Sequence, residues 1–91
     1  MTKYLKIYLE YFSYDIGDYI ACEVCSSPAV DIHHIDARGM GGSKTADTIE
    51  NLQALCRACH IRYGDKKQYK QMLKHIHNAK LTQREQDNTK R

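Results

Sequence analysis

Apolar side chains near the start of the chain recur at the spacing of a helix. Within residues 4–12, one helical face would carry Tyr4, Leu5, Tyr8, Leu9 and Phe12. The same stretch also alternates apolar and polar positions, as a strand does, so the pattern alone leaves both open. Helix is favoured, with Lys6 and Glu10 four residues apart and able to pair on it.

The middle of the chain predicts two short strands followed by a helix. Residues 29–35 are a candidate strand, and residues 52–55 are a candidate for a short strand that returns beside it. A helix should begin near Arg57 and end at Gly64, because glycine commonly follows the last helical turn. Between the strands, residues 38–43 are rich in glycine, which is typical of a mobile loop.

Helical spacing returns in the last third of the chain. Asp65 is a suitable N-cap for a helix over about residues 65–78, with Gln68 three residues further on. The apolar face of this helix would consist of Tyr69, Met72, Leu73 and Ile76. From about Thr82 the chain is polar and has no periodicity, which predicts a disordered tail over residues 82–91.

The length of 91 residues favours a single domain with a marginal core. We expect this domain to span residues 1–81, with its core at about residues 20–64. The first residues carry charges where a signal peptide would be apolar, and no apolar run is long enough to cross a bilayer. The expected location is therefore the cytoplasm, without membrane contact.

The net charge of +3 conceals an asymmetry between the two parts of the chain. Residues 1–56 hold four basic and eight acidic side chains, whereas residues 57–91 hold ten basic and three acidic ones. A basic segment of this kind suggests contact with the phosphates of nucleic acid. A lysine-rich helix that simply faces solvent is the alternative.

Two pairs of cysteines have the spacing of zinc knuckles. They are Cys22-x-x-Cys25 and Cys56-x-x-Cys59, separated by 30 residues. Zinc binds four thiolates in a tetrahedral shell, and a closed shell leaves no position for substrate. The pattern therefore predicts a structural Zn²⁺ site that stabilises a domain too small for a large core. Two disulfides are the alternative, although this spacing suits them poorly.

Histidines and an asparagine lie between and beside these pairs. The order His33-His34, then Asn51-Leu52, then Cys56-Arg57-x-Cys59-His60 resembles the zinc-knuckle form of the HNH endonuclease family. The resemblance covers residues 20–64, about half of the chain. It implies a small α+β fold, with a ββα-metal, treble-clef-like core stapled by the four-cysteine zinc site and flanked by N- and C-terminal helices.

The resemblance also implies roles for individual residues. His34 would be the general base, a task that suits histidine because its pKa lies near neutrality. His33 and His60 would hold a catalytic divalent metal. Asn51 would either hold the loop that orients the base or bind the metal. Four basic side chains are candidates for phosphate contacts: Arg38, Lys44, Arg57 and Arg62.

The chain departs from one branch of the family. Colicin-like relatives have a third metal-binding histidine four residues after the last histidine of the motif, and here Gly64 occupies that position. A shell with fewer nitrogen ligands favours Mg²⁺ or Mn²⁺. Asp31 could orient a histidine or be an ordinary surface residue, and His75 and His77 match no part of the motif.

The activity implied is metal-dependent hydrolysis of DNA phosphodiester bonds, by nicking or by double-strand cleavage, leaving 5′ phosphate ends. The family is common in bacteria and their phages, and some phage members act beside the DNA-packaging terminase. A terminase or another targeting protein is thus a candidate partner, in a bacterial cell or a phage-infected host. The alternative function is a non-catalytic zinc module that binds nucleic acid, which would not need His33, His34 and Asn51 together.

Overall fold

Three helices surround a two-stranded antiparallel sheet in the part of the chain that the computed structural model describes, residues 2–15, 17–36 and 47–89. In chain order the elements are α1 (Lys3–Tyr11), β1 (Asp31–His34), β2 (Leu52–Leu55), α2 (Arg57–Tyr63) and α3 (Lys70–Thr89). Short 3₁₀ turns at Ile49–Asn51 and Lys67–Tyr69 precede β2 and α3. The predicted α+β class is confirmed, and the N-terminal stretch is a helix and not a strand.

The sheet sets the positions of the functional motifs. Asp31 pairs with Leu55 and His33 with Gln53 in the antiparallel register. Because side chains alternate along a strand, Asp31 and His33 share one face of β1. All four residues of β2 are buried, and Cys56 follows directly as the N-cap of α2. The buried strand thereby fixes where α2 starts.

Helix α1 covers the sheet with its aromatic face. The Oγ1 atom of Thr2 caps the helix by accepting from the amide of Leu5 at 3.4 Å. Tyr8 is fully buried and packs in one cluster with Leu52 and Ala54 of β2. The apolar spacing in the sequence therefore reflects a face buried against β2.

The C-terminal helix differs from the sequence prediction at both ends. Asp65 does not cap it, since Asp65 has a φ of 61° and α3 begins only at Lys70. At the other end, α3 continues to Thr89, through most of the segment predicted to be a disordered tail. Arg84 anchors this part by donating to the carbonyl of Tyr11 at 3.1 Å, a tertiary contact that composition does not reveal. None of the helices in the described residues has the length and apolar character needed to cross a bilayer.

A buried contact between a histidine and a carboxyl group connects α3 to the first cysteine pair. The side chains of Glu23 and His77 are 1% and 0% exposed, and His77 Nδ1 lies 2.9 Å from Glu23 Oε1. The other ring nitrogen of His77 donates to the carbonyl of Ile49 at 2.6 Å. His77, which matched no motif in the sequence, therefore joins α3 both to the residue after Cys22 and to the turn that leads into β2.

Two further side chains complete this network. The hydroxyl of Tyr8 donates to Glu23 Oε2 at 2.6 Å, and burial raises the pKa of Tyr8, so it remains a donor. The amide of Gln53 donates to Glu23 Oε1 at 3.3 Å and to the carbonyl of Leu73 at 3.1 Å. The carboxylate of Glu23 thus has partners on α1, β2 and α3, and the network holds these three elements together.

Replacing His77 with leucine is expected to lower the free energy of unfolding by about 3–5 kcal/mol, because it removes one partner of a buried pair and leaves both Glu23 and the carbonyl of Ile49 without their hydrogen bonds to His77. Urea denaturation followed by circular dichroism measures the change. The matched control is His75→Leu, at an exposed position of the same helix, with an expected effect within about 0.5 kcal/mol. Equal effects of the two substitutions would contradict the structural role of His77.

Candidate metal centres and active site

The four cysteine sulfurs converge on one point. All four Sγ atoms lie within 4.8 Å of one another, and Cys25 Sγ is 3.6 Å from Cys56 Sγ. That distance is too long for a disulfide, whose S–S bond is about 2.05 Å. Zn–S bonds of about 2.3 Å in a tetrahedron place sulfurs roughly 3.8 Å apart. The four cysteines, all of them free thiols, therefore fit a tetrahedral metal site.

Tight local turns bring each cysteine pair into place. In the first pair, the amide of Cys22 donates to the carbonyl of Ser27 at 2.7 Å, and Ser26 adopts a left-handed φ of 70°. In the second pair, Cys56 is the N-cap of α2, and its sulfur accepts from the amide of Cys59 at 3.4 Å. Each turn directs the two sulfurs of its pair toward the sulfurs of the other pair.

The environments of the thiols differ. Hydrogen bonds from the side chain and backbone of Ser27 lower the pKa of Cys25 to about 6. Burial raises the pKa of Cys59 above that of an ordinary thiol. Because metals bind the thiolate, Cys25 is ready to bind near neutral pH, whereas Cys59 needs the positive charge of the metal to offset its burial.

A second cluster joins His33, His60 and Asp65. Their candidate ligand atoms lie within 4.8 Å of one another, and the rings of His33 and His60 have centroids 4.9 Å apart. His33 is only 4% exposed. Burial, followed by the proximity of His60, lowers the pKa of His33. This favours the neutral imidazole, which is the form that binds a metal.

Asp31 orients one of these histidines. Its Oδ2 atom lies 2.9 Å from His60 Nδ1, so Nε2 is the nitrogen of His60 left to face a ligand. Carboxylates that hold the outer nitrogen of a metal-binding histidine are a recurring feature of metal sites. Of the two interpretations that the sequence allowed for Asp31, the geometry agrees with the orienting one.

Sequence reasoning missed Asp65 as a member of this cluster. It lies one residue beyond Gly64, the position where colicin-like relatives have histidine, and its left-handed backbone accompanies the turn after α2. A Cβ atom on Gly64 would lie 2.5 Å from both Cδ2 and the carbonyl oxygen of His60. A side chain at position 64 would therefore displace the ring of His60, while Asp65 supplies a carboxylate to the same cluster.

His34 has partners of its own. Its Nε2 atom lies 2.7 Å from Asp47 Oδ1, and the side chains of His34 and Asp47 are 14% and 15% exposed. The ring of Tyr4 packs edge-on against His34 with centroids 4.9 Å apart. When Nε2–H donates to Asp47, Nδ1 is the nitrogen that can accept a proton.

Asn51 holds the chain immediately after β1. Its Oδ1 atom accepts from the amide of Asp36 at 2.7 Å, and its Nδ2 atom donates to the carbonyl of Asp36 at 3.0 Å. The carboxylate of Asp36 in turn pairs with Lys70 at 3.2 Å and Lys74 at 3.1 Å. These two lysines lower the pKa of Asp36. Both ends of the Asn51 amide therefore contact the backbone of Asp36.

Of the four basic residues predicted to contact phosphate, two lie in the part of the chain that the structure describes. Arg57 and Arg62 lie exposed on α2, the helix that also carries His60, and the guanidinium of Arg62 is 5.4 Å from the centroid of the Tyr63 ring. Arg38 and Lys44 lie outside the described residues.

The comparison with protein families agrees with this geometry. The model of the HNH endonuclease family matches residues 22–66, a span that contains both cysteine pairs and the second cluster. No curated protein and no solved structure matched the chain. The match and the arrangement of strands, helix and cysteines place the core of this chain, residues 22–66, in the HNH endonuclease family.

Proposed function

We propose that this protein is a metal-dependent endonuclease that hydrolyses phosphodiester bonds in DNA. The observation that carries the proposal is the placement of two kinds of site on consecutive residues of β1. His33 belongs to a cluster of two imidazoles and a carboxylate, and His34 is an imidazole with a carboxylate on one nitrogen. The first is suited to a cation, and the second is suited to proton transfer.

His33, His60 and Asp65 would hold the catalytic divalent metal. Three protein ligands leave coordination positions for phosphate and water, and the ion would offset the charge that develops on the phosphate and the departing oxygen. The carboxylate of Asp65 adds an oxygen ligand of the kind that Mg²⁺ and Mn²⁺ prefer. The exposure of Asp65 leaves the cluster open to substrate on that side.

His34 would act as the general base. Nδ1 accepts a proton from the attacking water while Asp47 holds Nε2–H, which fixes the tautomer and stabilises the charged ring. Asn51 would act as a positioning residue, because it fixes the backbone of Asp36, two residues after the base.

The four cysteines would bind a structural Zn²⁺ ion. Cys59 and His60 are neighbours on α2, yet they belong to different clusters. The zinc site therefore fixes the helix that presents a ligand to the catalytic metal.

Nicking of supercoiled plasmid DNA by zinc-loaded protein tests the proposal. We expect conversion to open circles with added Mg²⁺ or Mn²⁺ and none when the divalent cation is omitted. The His33→Ala variant, compared with exposed His75→Ala as the matched control, should lose the metal-dependent activity. Binding to DNA without cleavage under any of these metals would instead support the non-catalytic zinc module.

Substitutions of Asp65 test its place in the metal site. Asp65→Asn is expected to weaken Mn²⁺ binding by on the order of 10-fold or more, since even indirect partners of metal ligands contribute 10- to 100-fold. Asp65→Gly removes the carboxylate but accommodates the φ of 61° without strain. Both variants should therefore lose affinity in isothermal titration while keeping their thermal stability. Unchanged Mn²⁺ affinity in both would exclude Asp65 from the site.

A further inference from the structure

A cleft separates the end of α1 from the last turns of α3. It has a volume of about 310 Å³ and is lined by Phe12, Tyr14, Lys80, Gln83 and Arg84. Pockets that bind small molecules typically measure roughly 300–1,000 Å³, so this cleft is at the lower end of that range. It contains none of the residues of either candidate metal site.

The cleft presents two cations. Lys80 Nζ lies 4.7 Å from the centroid of the Phe12 ring. Arg84 donates from Nη2 to Ser13 Oγ at 2.6 Å, in addition to its bond from Nε to the carbonyl of Tyr11. Among the described residues, neither Lys80 nor Arg84 forms an ion pair with a carboxylate. Because a guanidinium has five N–H donors, Arg84 can bind an anion while it stays anchored.

The remaining wall is aromatic. The rings of Phe12 and Tyr14 are half-buried and have centroids 6.2 Å apart. Aromatic side chains next to cations are the usual platform for a nucleobase and its phosphate in proteins that bind single-stranded nucleic acid. Bases inside a duplex are stacked and paired, so such a platform accepts only a base that has left the stack.

The distance along α1 relates the cleft to His34, the proposed general base. Tyr4 contacts His34, and Phe12, the C-cap residue of α1, lies eight residues further along the chain. Eight residues of helix span roughly 12 Å. Successive nucleotides of one DNA strand are about 3.4 Å apart along the helix axis, so this length corresponds to roughly three or four nucleotides.

We propose that this cleft binds one unpaired nucleotide of the DNA substrate, three or four positions from the phosphate that is cut. The base packs against Phe12 and Tyr14, and its phosphate contacts Lys80 and Arg84. This inference rests on the proposed function, since it takes DNA as the substrate. It adds a preference for DNA with a gap, bulge or single-stranded flank over continuous duplex.

Fluorescence anisotropy without added Mg²⁺ or Mn²⁺ tests the cleft separately from catalysis. The probes are a continuous duplex and the same duplex with a four-nucleotide single-stranded flank. Lys80→Gln is compared with Lys67→Gln, which makes the same charge change at an exposed residue outside the cleft. We expect Lys80→Gln to weaken binding to the flanked probe by about fivefold or more and to reduce the salt slope by about one phosphate contact. Lys67→Gln should change binding less than about twofold.

Photocrosslinking locates the contact. A 5-iodouracil base placed at each of the four flanking positions in turn should crosslink to Phe12 or Tyr14 from the third or fourth position. Equal binding of the two lysine variants, equal affinity for both probes, or crosslinks confined to other residues would overturn the proposal. If the flanked probe binds through Lys80 but no metal supports nicking, the nuclease function fails and the nucleotide cleft stands.

Discussion

Replacing Cys56 with serine is expected to unfold the domain. Structural zinc contributes about 10–16 kcal/mol to the folding of small zinc domains, whereas the whole stability of a domain is roughly 5–15 kcal/mol. Cys56 supplies one of the four sulfurs and also caps α2, so serine would remove a ligand at the point where the helix begins. Circular dichroism should show the loss of helix, and elemental analysis should show less than one zinc per chain.

Ala58→Ser is the control for this substitution. It places a serine at an exposed position of the same helix, between the two cysteines of the second pair, and should leave both zinc content and folding unchanged. Removal of zinc from the wild-type protein with a chelator should reproduce the unfolding. A Cys56→Ser protein with wild-type helix content and no bound zinc would show that the cysteine cluster does not stabilise the fold.

Replacing His34 with alanine is expected to reduce the rate of DNA nicking by about 10²- to 10⁴-fold, the usual contribution of a positioned general base. His34 lies outside both metal clusters, so zinc content and Mn²⁺ affinity should be preserved. Asp47→Asn, which keeps the size of the side chain but weakens its hold on Nε2–H, should reduce the rate by a smaller factor.

Single-turnover nicking with protein in excess over plasmid measures this effect apart from DNA affinity. The control is His75→Ala, because His75 is exposed on α3, and it should nick at the wild-type rate. Wild-type nicking by the His34→Ala variant, with its metals in place, would assign the role of base to another group.

Local signals in the sequence were sufficient to locate α1, β2 and α2. The spacing of apolar residues gave α1, and the stretch at 52–55 became β2 with the same bounds. The second cysteine pair and Gly64 correctly indicated the limits of α2. Each of these signals acts within a few residues of the structure that it predicts, and so it can be interpreted without knowledge of the fold.

The features that escaped prediction depend on contacts between distant parts of the chain. Glu23 and His77 are 54 residues apart, and Arg84 bonds to Tyr11 across 73 residues. A polar segment such as residues 82–89 has no reason to be ordered until the fold places such a partner beside it. Asp65 escaped for a different reason, because an N-cap is the commoner role for an aspartate before a helical pattern.

Two contacts hold the described residues on either side of residues 37–46. Asp36 is bonded to Asn51, and His34 contacts Asp47, so both boundaries of that segment are held by residues outside it. Neither Asn51 nor Asp47 belongs to either metal cluster. A substitution at either residue would therefore alter the surroundings of His34 while leaving the ligands of both metals in place.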